Sequence, residues 1–470
     1  LGLDEVGFGL QMEVLAMKNS TSLSVMERLY GLSLIWQEAN YNFAFFNRVP
    51  NLDWDASYQK YISRVILAEN LYDYYELLLR FAAQLKDGHT AVIMPKSLYL
   101  GLDRPKLMLM NIGNTPVVNN ASRTIGSRVP IGSELLEIDG VAAKEYLSTR
   151  VVPLVCETTH HRLLDHAVAR LLLGDQGSKV HCRFHTPDGN SLEIDLWRNR
   201  RIDADPWLRP AGIPDKREFM YLDEWFYNEA PFSAFEFSML EGNVAYVALN
   251  SFMDPTVVTR FKEKLPTIKG CSGLILDLRK NHGGSDTIAY SIVAHFLRQP
   301  TEALITRSPK HIASYKAHGL FLKDTPADKI PELGEVDRER LLCYRKQWLH
   351  EESWGYIEPS EEILSLPTAI LTDSETLSAA EDFIMAFESG KGEAIRVGRS
   401  TGGSTGQPIV QELPGGGVLG VCTIRVSWPE LVGRKGIEPH IHIEPTVEDI
   451  IRNEDRTLKM ALSSLLGLCL

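Results

Sequence analysis

The chain has 470 residues, 44% of them hydrophobic and 23% charged, with a formal net charge of −12. That length exceeds the roughly 100–200 residues of one domain and leaves room for a sizeable core. The acidic balance argues against a nucleic-acid binder, which needs a basic surface for phosphates, and no stretch approaches the ~18–20 apolar residues that span a bilayer.

The opening segment, LGLDEVGFGLQMEVLAMKNS, lacks the basic-then-apolar pattern of a secretory signal. The compartment is left open between exported and cytoplasmic. From Ser24 to Tyr41 the apolar residues Met26, Leu29, Leu32, Ile35 and Trp36 fall at helical spacing. Asp53 is placed to cap a second helix. Leu77, Leu78, Phe81 and Leu85 form the stripe of a third, with Gly88 at its end and His89 on the loop beyond. Residues 1–98 are thus expected to be a helical domain.

Residues 99–199 change to short strands. Leu135–Ile138 is an apolar run closed by an Asp139–Gly140 turn. A helix follows over HRLLDHAVARLLL, and then a hairpin over 179–198 whose PDGN turn separates two alternating strands. Residues 200–235 hold four prolines and no clear period, as a linker does. From 236 onward strands and helices alternate, which predicts an α/β core with a largely parallel sheet. The six cysteines, Cys156, Cys182, Cys271, Cys343, Cys422 and Cys469, are scattered without a CxxC pair and read as free thiols.

Three segments can carry chemistry. In DLRKNHGGSDT a buried strand runs into Gly283 and Gly284, whose backbone N–H groups no side chain covers. Such groups can bind a developing oxyanion, or the pair can be a plain tight turn. In ILTDSETLSAAEDF, Ser378 sits where a strand gives way to a helix, with Ala379 N–H beside it as a second oxyanion donor. The same serine can instead cap the helix, since S-A-A-E matches a capping box with Glu381. In LKDGHT, His89 can be a general base for Ser378 or simply a surface histidine. His440 with His442, and His160, His161 and His166, carry no metal-site spacing such as HExxH. The GGSTG run lacks the lysine of a phosphate-binding loop, so neither metal nor cofactor is expected.

These segments, in this order, resemble the C-terminal-processing (tail-specific) serine peptidase family. DLRKNHGGS resembles its D-L-R-x-N-x-G-G run, TLSAAEDF the segment around its nucleophile, and VGRSTGGSTGQ its G-x-x-T-x-G-x-x-G run. GIEPHIHIEPTVEDI resembles its closing G-I-x-P-D-I segment, with His440 where aspartate is usual. LKDGHT resembles the histidine segment of members with an N-terminal helical domain, and PIGSELLEIDG part of the family's PDZ-like insert. The resemblance implies a crotonase-like ββα superhelix core at 236–470, preceded by the helical and PDZ-like domains.

It also implies an acyl-enzyme on Ser378 and an oxyanion hole from Ala379 with Gly283 or Gly284. Many members use a lysine base, but Ser404 occupies that position. The tricorn-like branch uses histidine, which points to His89. An orienting carboxylate would then come from Glu430 or Glu438, neither of which aligns cleanly. The expected partner is a peptide or protein substrate, with unstructured C-termini bound by residues 100–198. A non-catalytic peptide-binding relative, or a thioester-handling enzyme on the same core, are the alternatives.

Overall fold

A computed structural model describes residues 23–209, 233–390, 392–428 and 436–467. The opening segment, most of the expected linker and Glu430 lie outside these residues.

Among the described residues, the chain opens with three α-helices. Helix α1 (Val25–Asn42) begins at Ser24, whose side chain and that of Glu27 form a capping box. Asp53 caps α2 (Trp54–Ile66) by accepting from Ala56 N, and Asn70 caps α3 (Leu71–Ala82). The third helix ends earlier than its pattern suggests. It tightens into one 3₁₀ turn over Ala83–Leu85, and the left-handed residue that stops it is Lys86, not Gly88. The expected helical region also yields a strand, β1 (Ala91–Ile93), directly after His89.

Residues 107–197 form a twisted sheet. It contains β2 (Leu107–Ile112), β3 (Thr115–Ala121), β4 (Glu134–Ile138) and the predicted hairpin, β5 (Lys179–His185) and β6 (Ser191–Trp197). Alternate residues Val180, Cys182 and Phe184 are buried, as the period-2 pattern requires. Helix α4 (His160–Ala169) packs against β2.

The second half carries a six-stranded sheet. Its members are β7 (Phe235–Leu240), β8 (Val244–Leu249), β9 (Gly273–Asp277), β10 (Thr368–Thr372), β11 (Ala394–Gly398) and, after the β12 (Pro408–Leu413) and β13 (Gly417–Cys422) hairpin, β14 (Ile441–His442). The order is β7-β8-β9-β10-β11-β14, antiparallel only between β7 and β8. Strands β8, β9 and β10 are buried at every residue, which is why they read as unbroken apolar runs rather than alternating ones. Helices α5 (Thr256–Lys269), α6 (Asp286–Val293) and α7 (Ala379–Ser389) share one core against this sheet. Helix α8 (Arg456–Leu465) takes part in the apolar cluster on the other face.

Several contacts among the described residues knit the halves together. Strand β1 pairs with β13, and the N-terminal helices share their core with Leu413, Leu419, Val421 and Cys422. The Tyr75 hydroxyl donates to Pro414 O and accepts from Gly417 N, both at 2.8 Å.

Candidate active site

Ser378 stands at the exit of β10, one residue before α7. Its backbone is at φ 54°, ψ −130°, a left-handed conformation that a residue with a Cβ seldom adopts. In this geometry its side chain does not cap the helix. The expected capping box is absent, because Glu381 turns elsewhere. Its carboxylate accepts from Thr401 Oγ1 (2.5 Å) and Gly403 N (3.1 Å), while Ser378 N donates to Ser404 O (2.8 Å). The Ser378 hydroxyl lies 3.2 Å from His89 Nε2.

His89 reaches Ser378 from 289 positions away in the chain. Its loop is fixed on both sides. Asp87, buried just before it, accepts from Thr90 Oγ1 (2.8 Å), and Thr90 Oγ1 accepts from Cys422 N (3.0 Å). Burial pushes the Asp87 carboxyl up, and the neighbouring His89 opposes that shift. The other ring nitrogen, His89 Nδ1, is 2.7 Å from Ser404 Oγ. Gly88, between Asp87 and His89, lies against the Ser404 side chain and Glu157. A methyl group there would come within 2.9 Å of Ser404 Oγ and 3.1 Å of Glu157 Oε2.

The two glycines differ in their commitments. Gly283 N donates to Asn281 Oδ1 (2.8 Å), and Asn281 is itself fully buried, donating to Leu249 O and accepting from Leu377 N through its carbonyl. The N–H of Gly283 is therefore occupied. Gly284 bridges in parallel to Phe252, and the flanking groups make that bridge: Phe252 N donates to Gly283 O, and Ser285 N to Phe252 O. This leaves the Gly284 N–H facing away from Phe252. Among the described residues no acceptor meets Gly284 N or Ala379 N. Gly283 has a steric role instead. At φ 91°, a methyl group on it would lie 2.5 Å from Ser378 Cβ and 2.8 Å from Ala379 N.

Behind the strand ends sits a buried ion pair. Arg279 binds Asp277 and Asp455, and the Tyr246 hydroxyl donates to Asp277. Burial would raise the Asp277 carboxyl, but Arg279 brings it below the usual range.

Of the two carboxylates expected to orient the base, Glu438 is not at the site. It is exposed on the surface, where it accepts from Ser400 Oγ (2.6 Å). Its chain position next to the closing motif made it a candidate, but the backbone there runs along the edge strand β14. The clustered histidines noted in the sequence make other contacts. His440 Nδ1 accepts from Arg396 N, His442 faces Glu444, His161 Nε2 donates to Thr401 O, and His166 bonds Glu157. Among the described residues no group of side chains is arranged to hold a metal ion.

Sequence reasoning missed the part that α4 plays. Thr159 Oγ1 donates to Gly402 O (2.9 Å), Asp165 accepts from Ser374 Oγ (2.5 Å) and Arg399 Nη1 (2.7 Å), and Arg162 lies between Glu157 (3.3 Å) and Glu375 (3.6 Å). One helix thus holds both the loop before Ser378 and the loop that carries Ser404. Its only sequence signal was the density of polar groups in ETTHHRLLDH.

Residues 243–443 match the model described as Peptidase family S41. Solved structures share the fold. Mature CPAF in complex with lactacystin aligns with a TM-score of 0.67 at 16% identity, covering 95% of this chain and all of its own. A CPAF mutant aligns at 0.69 and 16% identity, covering 96% and 99%. A search of curated protein sequences gives no significant match. Residues 243–443, the segment that carries Ser378 and both glycines, match peptidase family S41, and that match identifies a serine-type peptidase.

Proposed function

We propose that this peptidase cleaves peptide bonds through an acyl-enzyme on Ser378, with His89 as general base. The observation that carries this reading is the 3.2 Å separation of Ser378 Oγ and His89 Nε2, within the reach expected of a nucleophile and its base. As Oγ bonds to the substrate carbonyl carbon, its proton passes to Nε2. The carbonyl oxygen becomes an oxyanion, which the N–H groups of Ala379 and Gly284 stabilise. Collapse expels the amine, which takes the proton back from Nε2. Water then repeats the sequence on the ester, His89 accepting its proton, and releases the acid and the free serine. The strained backbone at Ser378 fits this role, since it turns the hydroxyl away from the helix end it would otherwise cap.

The core is read as a crotonase-like superhelix, and residues 99–199 as a PDZ-like module that binds unstructured peptide C-termini along an edge strand. What supports the second reading is the arrangement of strand β2 at the sheet edge with α4 packed against it. Labelling with a fluorophosphonate tests the catalytic reading. The wild-type protein is expected to be labelled and to hydrolyse peptides, and Ser378→Ala to do neither while keeping its melting temperature. Hydrolysis surviving in Ser378→Ala would overturn it.

A further inference from the structure

We propose that Ser404 is the residue that positions His89, doing with a neutral hydroxyl what an orienting carboxylate does in other serine–histidine sites. The proposal rests on the catalytic reading above. For Nε2 to accept the Ser378 proton, the ring's hydrogen must sit on Nδ1. Ser404 Oγ, 2.7 Å from Nδ1, is the acceptor that holds it there.

The position of Ser404 is determined from four directions, so its hydroxyl is a fixed point. Its carbonyl accepts Ser378 N at 2.8 Å, which locks it to the nucleophile itself. The loop before it is anchored to the first turn of α7 through Glu381, which binds Thr401 and Gly403. Gly402 N donates to Thr376 O (3.0 Å), and α4 grips the same loop through Thr159 and His161. Ser404 is 2% exposed, so no water layer separates it from the ring.

Among the described residues, three carboxylates lie near this pair. Asp87 lies on the histidine's own loop, with Arg48 acting on it. Glu157 comes from the segment before α4 and faces Gly88, with Arg162 and His166 on its far oxygen. Glu381 lies beneath the Ser404 loop. A hydroxyl at Nδ1 stabilises an imidazolium less than a carboxylate does.

Three measurements decide the matter. In the wild-type protein labelled with ¹⁵N-histidine, the His89 resonances, assigned by their loss in His89→Gln, are expected to show the Nδ1–H tautomer. The Nε2–H tautomer would overturn the proposal. Ser404→Ala should lower kcat by about 10²–10³-fold, less than the ~10⁴-fold cost of a wrong tautomer in a Ser-His-Asp triad, with KM little changed. Ser404→Asp should move the acid limb of the kcat/KM profile up by about 1–2 pH units, as an adjacent carboxylate favours the protonated ring. Unchanged kcat in Ser404→Ala, or an unmoved acid limb in Ser404→Asp, would show that the hydroxyl does not position the base. If His89→Gln and Ser378→Ala retain hydrolysis, it is the catalytic reading that fails; if both are inactive and the Ser404 variants behave as wild type, this proposal alone fails.

Discussion

At the scale of single residues, the site is built on backbone positions as much as on side chains. Gly283 carries no hydrogen bond to substrate in this scheme, yet it has no room for a side chain. A Cβ at φ 91° is strained, and it would press on Ser378 Cβ and the Ala379 amide. Gly283→Ala is expected to abolish labelling of Ser378 and to destabilise the fold by about 1–3 kcal/mol in urea titrations. A stable and active variant would show that this contact relaxes freely. Asp373, partly exposed into a cleft between α4 and the strand ends, acts in the opposite sense to the buried ion pairs. Burial, then the charge of Glu375, push its carboxyl up to about 7. Between about pH 4 and 7 the folded chain keeps a proton there that the unfolded chain has lost, so this group makes stability fall as pH rises through that window. Asp373→Asn should remove that slope and raise stability at pH 8; chemical denaturation at pH 5 and pH 8 reads the difference.

At the scale of elements, the sequence made some features plain and concealed others for physical reasons. The strands of the core were legible because they are buried on both faces, and α7 because it follows one of them directly. Ser378 was ambiguous. Its local pattern, S-A-A-E, favours a cap, and only the left-handed backbone and the distant demands on Glu381 decide against it. Ser404 stood out as a missing lysine, and its contact with His89 was invisible because a glycine-rich loop has no period from which to infer its path. Helix α4 was predicted, but not its grip on the catalytic loops, since polar side chains on a helix look alike whether they face water or a neighbour. That grip is testable. Asp165 is 3% exposed and bonds Asn111, Ser374 and Arg399. Asp165→Ala should cost stability toward the lower end of the ~3–5 kcal/mol seen when one member of a buried pair is removed, because Arg399 retains Glu444. It should also reduce kcat by loosening the loop before Ser378. A loss below about 1 kcal/mol would put this contact in the class of surface ion pairs.

At the scale of the whole molecule, the buried acids paired with arginine set the acid limit. Asp277 and Glu157 both sit below their usual carboxyl range despite burial, held there by Arg279 and by Arg162 with His166. For such groups the stabilisation is present above the unfolded pKa and is lost as pH falls through the lower folded value. Melting temperature should therefore drop steeply below about pH 4, and Asp277→Asn should shallow that drop; an unchanged profile would place the acid-sensitive groups elsewhere. The pairing of β1 with β13 has a different kind of consequence. Residues 91–93 are held by residues 418–420, and the histidine two positions before β1 is placed by that pairing. A ribosome makes His89 early, Ser378 much later, and the strand that pairs beside His89 later still. In the proposed scheme the growing polypeptide therefore has no assembled site until residues 417–422 have been made. Chains stalled in translation before residue 417 should accordingly remain unlabelled by a fluorophosphonate that marks the released protein. The long-range closure of the fold thus ties the placing of His89 to strands made some 330 residues later.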